Sequence, residues 1–300
     1  MDRRTFMHAG LALPASIAVS AGARPPTRGT EPPAGEAGTD GAPARPAGDA
    51  PPAFRQSVCA WCFGGMSLAE LCVLAKRLGI GSVELLNEDQ WPVPAAHGLT
   101  CAVANGPGGI AKGWNRREHH DVLVKGAEEL LPKVAAAGIP QMIVFSGNRE
   151  GLADDEGLQA CAEGLRRIMP TAERAGVTVI MELLNSKVDH RDYMCDRTAW
   201  GVELCKRVGS DRFRLLYDIY HMQVMEGDVI RTIEQSHSWI AHYHTAGNPG
   251  RSNLDDAQEL NYRAICRAIR STGFTGWLAQ EFMPQGDPAA ALEAAVRTCG

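Results

Sequence analysis

Four polar side chains close four short apolar runs in the second half of the chain. The runs are Val179-Ile180-Met181-Glu182, Leu215-Leu216-Tyr217-Asp218, Ile240-Ala241-His242-Tyr243-His244 and Trp277-Leu278-Ala279-Gln280-Glu281. Their end residues are separated by 36, 26 and 37 positions, the spacing from one strand end to the next in a repeated strand–helix unit. In a closed parallel barrel, residues at the C-terminal strand ends face one common spot. Three carboxylates and one imidazole there form a hard, oxygen-rich ligand set. It suits Mn²⁺, Mg²⁺ or Co²⁺ and also accommodates Zn²⁺ or Fe²⁺. Without a cation, three converging carboxylates repel one another and one is forced to keep a proton.

The elements that must position these residues are legible from residue 54 onward. Strand candidates are 57–63, 82–86, 99–105, 141–145, 178–183, 213–218, 239–244 and 277–282, each a short apolar or β-branched run. Helical stretches at 68–78, 116–137, 155–175, 196–208, 227–236, 257–272 and 287–297 lie between or after most of them. Ser67 with Glu70 reads as a capping box for the first helix, and Gly79 as its C-terminal stop. Alternation of strand and helix predicts a parallel sheet covered by helices. Eight repeats in residues 54–300 predict an α/β protein of the (β/α)₈ TIM-barrel kind. An open doubly wound sheet would carry a glycine-rich phosphate turn after its first strand, and Gly64-Gly65 is too little for one.

Residues 1–53 read differently. Asp2-Arg3-Arg4-Thr5-Phe6-Met7, the weakly apolar stretch through Val19 and the small residues Ala21-Gly22-Ala23 predict a twin-arginine signal peptide over 1–23. Residues 24–53, rich in Pro, Gly and Ala, predict a disordered linker. The export machinery is therefore an expected partner and the periplasm the expected location, with a membrane tether if the signal is uncleaved. The whole chain carries a net charge of −5. Its first 53 residues are balanced, so the body keeps that acidic balance, opposite to a nucleic-acid-binding surface. The nine cysteines follow no pairing pattern, and Cys59-Ala-Trp-Cys62 reads as two packed thiols.

Several motifs together resemble the hydroxypyruvate isomerase family, and more broadly the xylose-isomerase-like barrels that include the ketose 3-epimerases. They are Glu182-Leu183-Leu184-Asn185-Ser186, Asp218-Ile219-Tyr220-His221, Asn248-Pro249-Gly250-Arg251 and Gln258-Glu259-Leu260-Asn261-Tyr262, together with Asn115–His120 and Phe145–Arg149. The resemblance implies that Glu182, Asp218, His244 and Glu281 bind the metal, and that Glu182 and Glu281 double as the acid/base pair. It further implies that His221 and Arg251 bind substrate oxygens. At the third ligand position His244 matches the 3-epimerases, where hydroxypyruvate isomerases often carry Gln. The implied chemistry is metal-stabilised enediolate formation. One glutamate takes the proton beside the carbonyl, and the other returns it to the neighbouring carbon (isomerisation) or the opposite face (epimerisation).

Hydroxypyruvate, giving tartronate semialdehyde, is the expected substrate, and a sugar epimerase or an inosose-dehydratase-like lyase is the alternative. No phosphate cradle or Lys-rich strand end is evident, which favours a non-phosphorylated compound. A nuclease resembling endonuclease IV would need more strand-end histidines and a basic groove, and a non-catalytic binding protein would not need both glutamates. Asn105 and His190 are further substrate-contact candidates, and Glu84 and Asn87 are placed at the barrel mouth. His119 and His120 are expected to be structural. Related barrels associate through their helical faces, so a homo-oligomer is also an expectation.

Overall fold

β-Branched and small apolar residues make eight short runs that pair side by side in parallel. In the computed structural model, residues 54–300 are described, and the signal and linker readings for 1–53 lie outside the described residues. The strands are β1 (Arg55–Cys59), β2 (Ser82–Glu84), β3 (Val103–Asn105), β4 (Gln141–Val144), β5 (Thr178–Leu183), β6 (Phe213–Asp218), β7 (Ile240–Thr245) and β8 (Trp277–Gln280). Their order is β2-β1-β8-β7-β6-β5-β4-β3. Parallel bridges Ser82↔Thr100 and Leu86↔Ala104 join the two ends, with Leu85 N–H donating to Val103 O at 2.9 Å. The ring therefore closes, as expected for a TIM barrel.

The helices are α1 (Leu68–Arg77), α2 (Pro92–Ala96), α3 (His120–Ala136), α4 (Asp154–Ala175), α5 (Thr198–Val208), α6 (Ile219–Met225), α7 (Val229–Ser236), α8 (Tyr262–Ser271) and α9 (Pro288–Cys299). The Ser67–Glu70 capping box forms in both directions at the start of α1. Most hydrophobic burial lies between helices and barrel. A smaller cluster fills the barrel interior with Ala102, Val103, Ile143, Ile180, Leu216 and Trp277. Side chains alternate faces along a strand. Glu182 thus lies above Ile180, Asp218 above Leu216, and Glu281 two steps above Trp277, all on the inner side.

Several boundaries differ from the sequence expectation. The first strand stops at Cys59, and Ala60–Phe63 turns as a 3₁₀ helix. The third strand is confined to Val103–Asn105. The helix expected from 116 begins at His120, after a 3₁₀ turn at Arg117–His119. The helix expected from 257 begins at Tyr262, capped by the Asn261 side chain. Helices α2 and α6 were not anticipated. In α6 no loop intervenes, because Asp218 ends β6 and also caps the helix, accepting His221 N–H at 3.0 Å.

Candidate active site

β5, β6, β7 and the residue after β8 bring Glu182, Asp218, His244 and Glu281 together. One donor atom from each lies within 4.8 Å of the others, and all four side chains are buried. His244 Nδ1 is 2.8 Å from Glu281 Oε2 and 3.3 Å from Glu182 Oε1. Neither approach is aligned as a hydrogen bond, so Glu182 Oε1 and His244 Nδ1 are buried without partners. Buried polar atoms are rarely left this way. Arg251 contacts both Asp218, at 3.3 Å, and Glu281, one guanidinium against three carboxylates. Orphaned donor atoms and excess negative charge both fit a divalent cation.

The cluster has an uneven proton affinity. Burial raises the Glu182 carboxyl above its ordinary range, and the neighbouring Glu281 charge adds to the effect. Burial also raises Asp218, to about 8, against the opposing pull of Arg251. Glu281 behaves oppositely. Its burial penalty is outweighed by Arg251, His244 and the indole N–H of Trp61, which hold it well below the usual range. Trp61 Nε1 donates to Glu281 Oε1 at 2.9 Å.

The supports for these side chains come from loops. Tyr193 Oη accepts Ser146 N–H at 3.0 Å and donates to Glu182 O at 2.9 Å, tying the end of β5 to the loop after β4. Tyr262 Oη clamps Ala246 in the same way, accepting its N–H at 2.9 Å and donating to its O at 2.7 Å. Gln258–Tyr262 has a structural part, since Glu259 receives the Asn248 amide and Gln223 Nε2. The Asn248–Arg251 turn is pinned by reciprocal bonds between Gly247 and Ser252. Gly247 is required there, because a Cβ would lie 2.2 Å from Asn253 O. Arg251 itself has φ +53, a left-handed conformation that costs a side-chain-bearing residue about 1–3 kcal/mol. Its carbonyl accepts Met283 N–H at 2.7 Å, which holds that geometry.

The other expected contacts divide. His221 is fully buried beside the cluster, its Nε2 2.7 Å from Arg251 Nη1 and its Nδ1 receiving Asn185 N–H at 3.2 Å. Burial, reinforced by Arg251, keeps its ring well below the usual basicity, hence neutral. His190 is half-buried and packs on His221, ring centres 5.2 Å apart. Asn105 is not part of the four-residue cluster. It donates to Leu85 O at 3.1 Å and Asn87 Oδ1 at 2.9 Å, and lines an adjoining cavity of about 370 Å³ with Trp61, Leu85 and Asn87. His120 hydrogen-bonds Trp114 O at 2.9 Å, a structural role as expected. All nine cysteines are buried and free.

Glu84 departs from its expected place. It does not line the mouth but is fully buried, against His242 and His244. His242 lies within a quoted strand but was not singled out. Its signal was alternation, since it shares an inward parity with His244. Nothing in the local sequence of Trp61 shows that it reaches Glu281.

Residues 72–298 match the xylose isomerase-like TIM barrel family. A 2-oxo-tetronate isomerase of Cupriavidus necator is 30% identical over 206 residues, 66% of this chain and 77% of that protein. A hydroxypyruvate isomerase of Escherichia coli is 27% identical over 210 residues, 67% of this chain and 79% of that protein. A crystal structure titled AP endonuclease, family 2, from Brucella melitensis superposes with a TM-score of 0.73 at 26% identity. It covers 80% of this chain and 96% of that one. Sequence match and barrel topology agree: this chain belongs to the xylose isomerase-like TIM barrel family.

Proposed function

We propose that this protein is a divalent-metal-dependent isomerase of a small hydroxycarbonyl compound, with a short 2-keto acid carrying a neighbouring hydroxyl as substrate. Hydroxypyruvate, converted to tartronate semialdehyde, is the first choice. The observation that carries the reading is the convergence of two glutamates with Asp218 and His244 in one buried, cation-fitting cluster.

Glu182, Asp218, His244 and Glu281 would hold the cation. When bound, it supplies Lewis-acid stabilisation of negative charge on the substrate oxygens. Glu281, kept ionised by Arg251 and Trp61, removes the proton from the hydroxyl-bearing carbon. Glu182 would return a proton to the adjacent carbon, while the hydroxyl proton passes to the former carbonyl oxygen. Arg251 pairs with the substrate carboxylate through its planar fork, and neutral His221 orients it. The names of the two relatives, hydroxypyruvate isomerase and 2-oxo-tetronate isomerase, support a short keto acid.

Epimerisation of a ketose or keto-sugar is the second reading, favoured by the cavity of about 370 Å³ beside Trp61. The Arg3-Arg4 motif supports export to the periplasm, and a non-phosphorylated substrate is consistent with it. The test is to load the full chain with Mn²⁺ and incubate it with hydroxypyruvate and free ketoses in D₂O, following products by proton NMR. Deuterated tartronate semialdehyde is the expected product. Exchange on a ketose, with an epimer formed, would transfer the substrate to sugars, and loss of water would mark a lyase. No exchange on any of them by metal-loaded protein would overturn the isomerase reading.

A further inference from the structure

Glu84 ends β2 and is fully buried. Among the described residues no lysine or arginine pairs with it. Its Oε1 meets two imidazoles instead, 2.9 Å from His242 Nε2 and 3.1 Å from His244 Nε2. A buried carboxylate without a fixed cation is a costly choice where an apolar side chain could pack. The backbone beyond it is also costly, since Leu85 has φ +59. Both features hold one carboxylate behind one ring.

That ring is His244. Its Nε2 is hydrogen-bonded to Glu84 Oε1, while its Nδ1 faces Glu182 and Glu281. A carboxylate accepts, so the Nε2 proton is fixed on the Glu84 side. The remaining nitrogen can then offer a lone pair to the cluster. The neighbouring His242 is oriented from one layer further. Gln141 Nε2 donates to Ala241 O at 2.8 Å, which fixes the amide orientation. Gln141 Oε1 must then accept from His242 Nδ1, 2.7 Å away, so the neutral ring has no proton on Nε2, which lies 2.9 Å from Glu84 Oε1 as a close contact without a hydrogen bond.

We infer that Glu84 is a positioning residue that fixes the His244 tautomer, so that Nδ1 serves as the metal ligand. The inference rests on the metal-centre reading of Proposed function. One rival uses the same atoms. Cys59 Sγ lies 3.8 Å from His244 Nε2 and 4.0 Å from Glu84 Oε1, and together these three could bind a second cation on the other edge of the ring.

The test compares the metal-free full chain with its Glu84→Leu and Glu84→Gln variants, titrating Mn²⁺ by calorimetry and EPR. One ion per chain is expected for the wild type. Glu84→Leu should weaken Mn²⁺ binding about 10–100-fold, the usual loss for a partner of a ligating histidine. Glu84→Gln should keep most of the affinity, because its amide oxygen still accepts the Nε2 proton. ¹⁵N-histidine NMR of the Zn²⁺-loaded wild type should show His244 protonated at Nε2 and metal-shifted at Nδ1. This spectrum decides the matter even if Glu84→Leu fails to fold. A proton on Nδ1, two ions per chain, or equal affinity in folded wild type and Glu84→Leu would overturn the inference. A wild type that binds no Mn²⁺ at all would overturn the metal centre itself, and the inference with it.

Discussion

Glu182 and Glu281 are the same side chain, separated in behaviour only by their surroundings. Glu281 receives an indole N–H and a guanidinium, whereas Glu182 Oε1 has no partner. If Glu281 removes the proton, Glu281→Gln should abolish both product formation and deuterium wash-in at the substrate carbon. Glu182→Gln should retain wash-in while product formation falls by about 10²–10⁴-fold, the typical contribution of a positioned acid or base. Single-turnover NMR in D₂O separates the two, with metal content measured in each variant because both glutamates would also be ligands. Asp218, raised to about 8 by burial, adds a proton inventory. At pH 7 the metal-free site holds a proton that a cation must expel. Calorimetry in two buffers of different ionisation enthalpy should therefore detect proton release on Mn²⁺ binding, and apparent affinity should fall as pH drops below 8.

At the scale of elements, the catalytic strand ends are only as accurate as the loops that pin them. Tyr193 joins the loop after β4 to the end of β5 through Ser146 N–H and Glu182 O. Tyr193→Phe leaves a buried N–H without its acceptor, and such an orphan costs about 1–3 kcal/mol. A reduced urea midpoint with unchanged slope, together with reduced turnover, is the expected result. An unchanged midpoint would show that the staple is dispensable. Such staples explain what the sequence could and could not show. The strand-end polar residues were legible because β5, β6 and β7 are apolar runs of regular parity, and their spacing matches a βα repeat. Tyr193, Trp61 and the role of Glu84 behind His244 were not, because their partners lie 11, 220 and 160 residues away in Glu182, Glu281 and His244. No local pattern encodes contacts of that range. Element boundaries slipped for a related reason. Asp218 is at once the end of a strand, the cap of a helix and a member of the cluster, so no turn residues mark the change.

For the whole molecule, folding concentrates three carboxylates at one end of a closed barrel, and stability must record that strain. Asp218 moves from its ordinary 3.8 to about 8 on folding. Between those values the metal-free native state holds a proton that the unfolded chain has released. Its contribution is therefore complete below pH 4 and is lost as pH rises toward 8. Glu281, shifted the other way, contributes stability that is present above its ordinary range and lost only on stronger acidification. Metal-free protein should thus lose stability from Asp218 between pH 5 and 8. Saturating Mn²⁺ should reverse the loss. At a hundredfold excess over Kd, binding adds about 2.7 kcal/mol, which for a domain of this size raises Tm by roughly 5–10 °C. Differential scanning calorimetry with and without chelator checks both statements, and an identical Tm in the two conditions would contradict a site that binds metal only when folded.

Trp61 gives the cluster an optical signal. Its ring is 49% exposed, its N–H rests on Glu281 and the Arg251 guanidinium lies 5.2 Å from its centre. Any event that draws charge from Glu281 or moves Arg251 changes the field across that indole and the quenchers beside it. Emission from a single ring should therefore follow site occupancy in real time, as the difference between wild type and Trp61→Phe. Stopped-flow traces could then resolve cation entry from substrate entry before any product has formed.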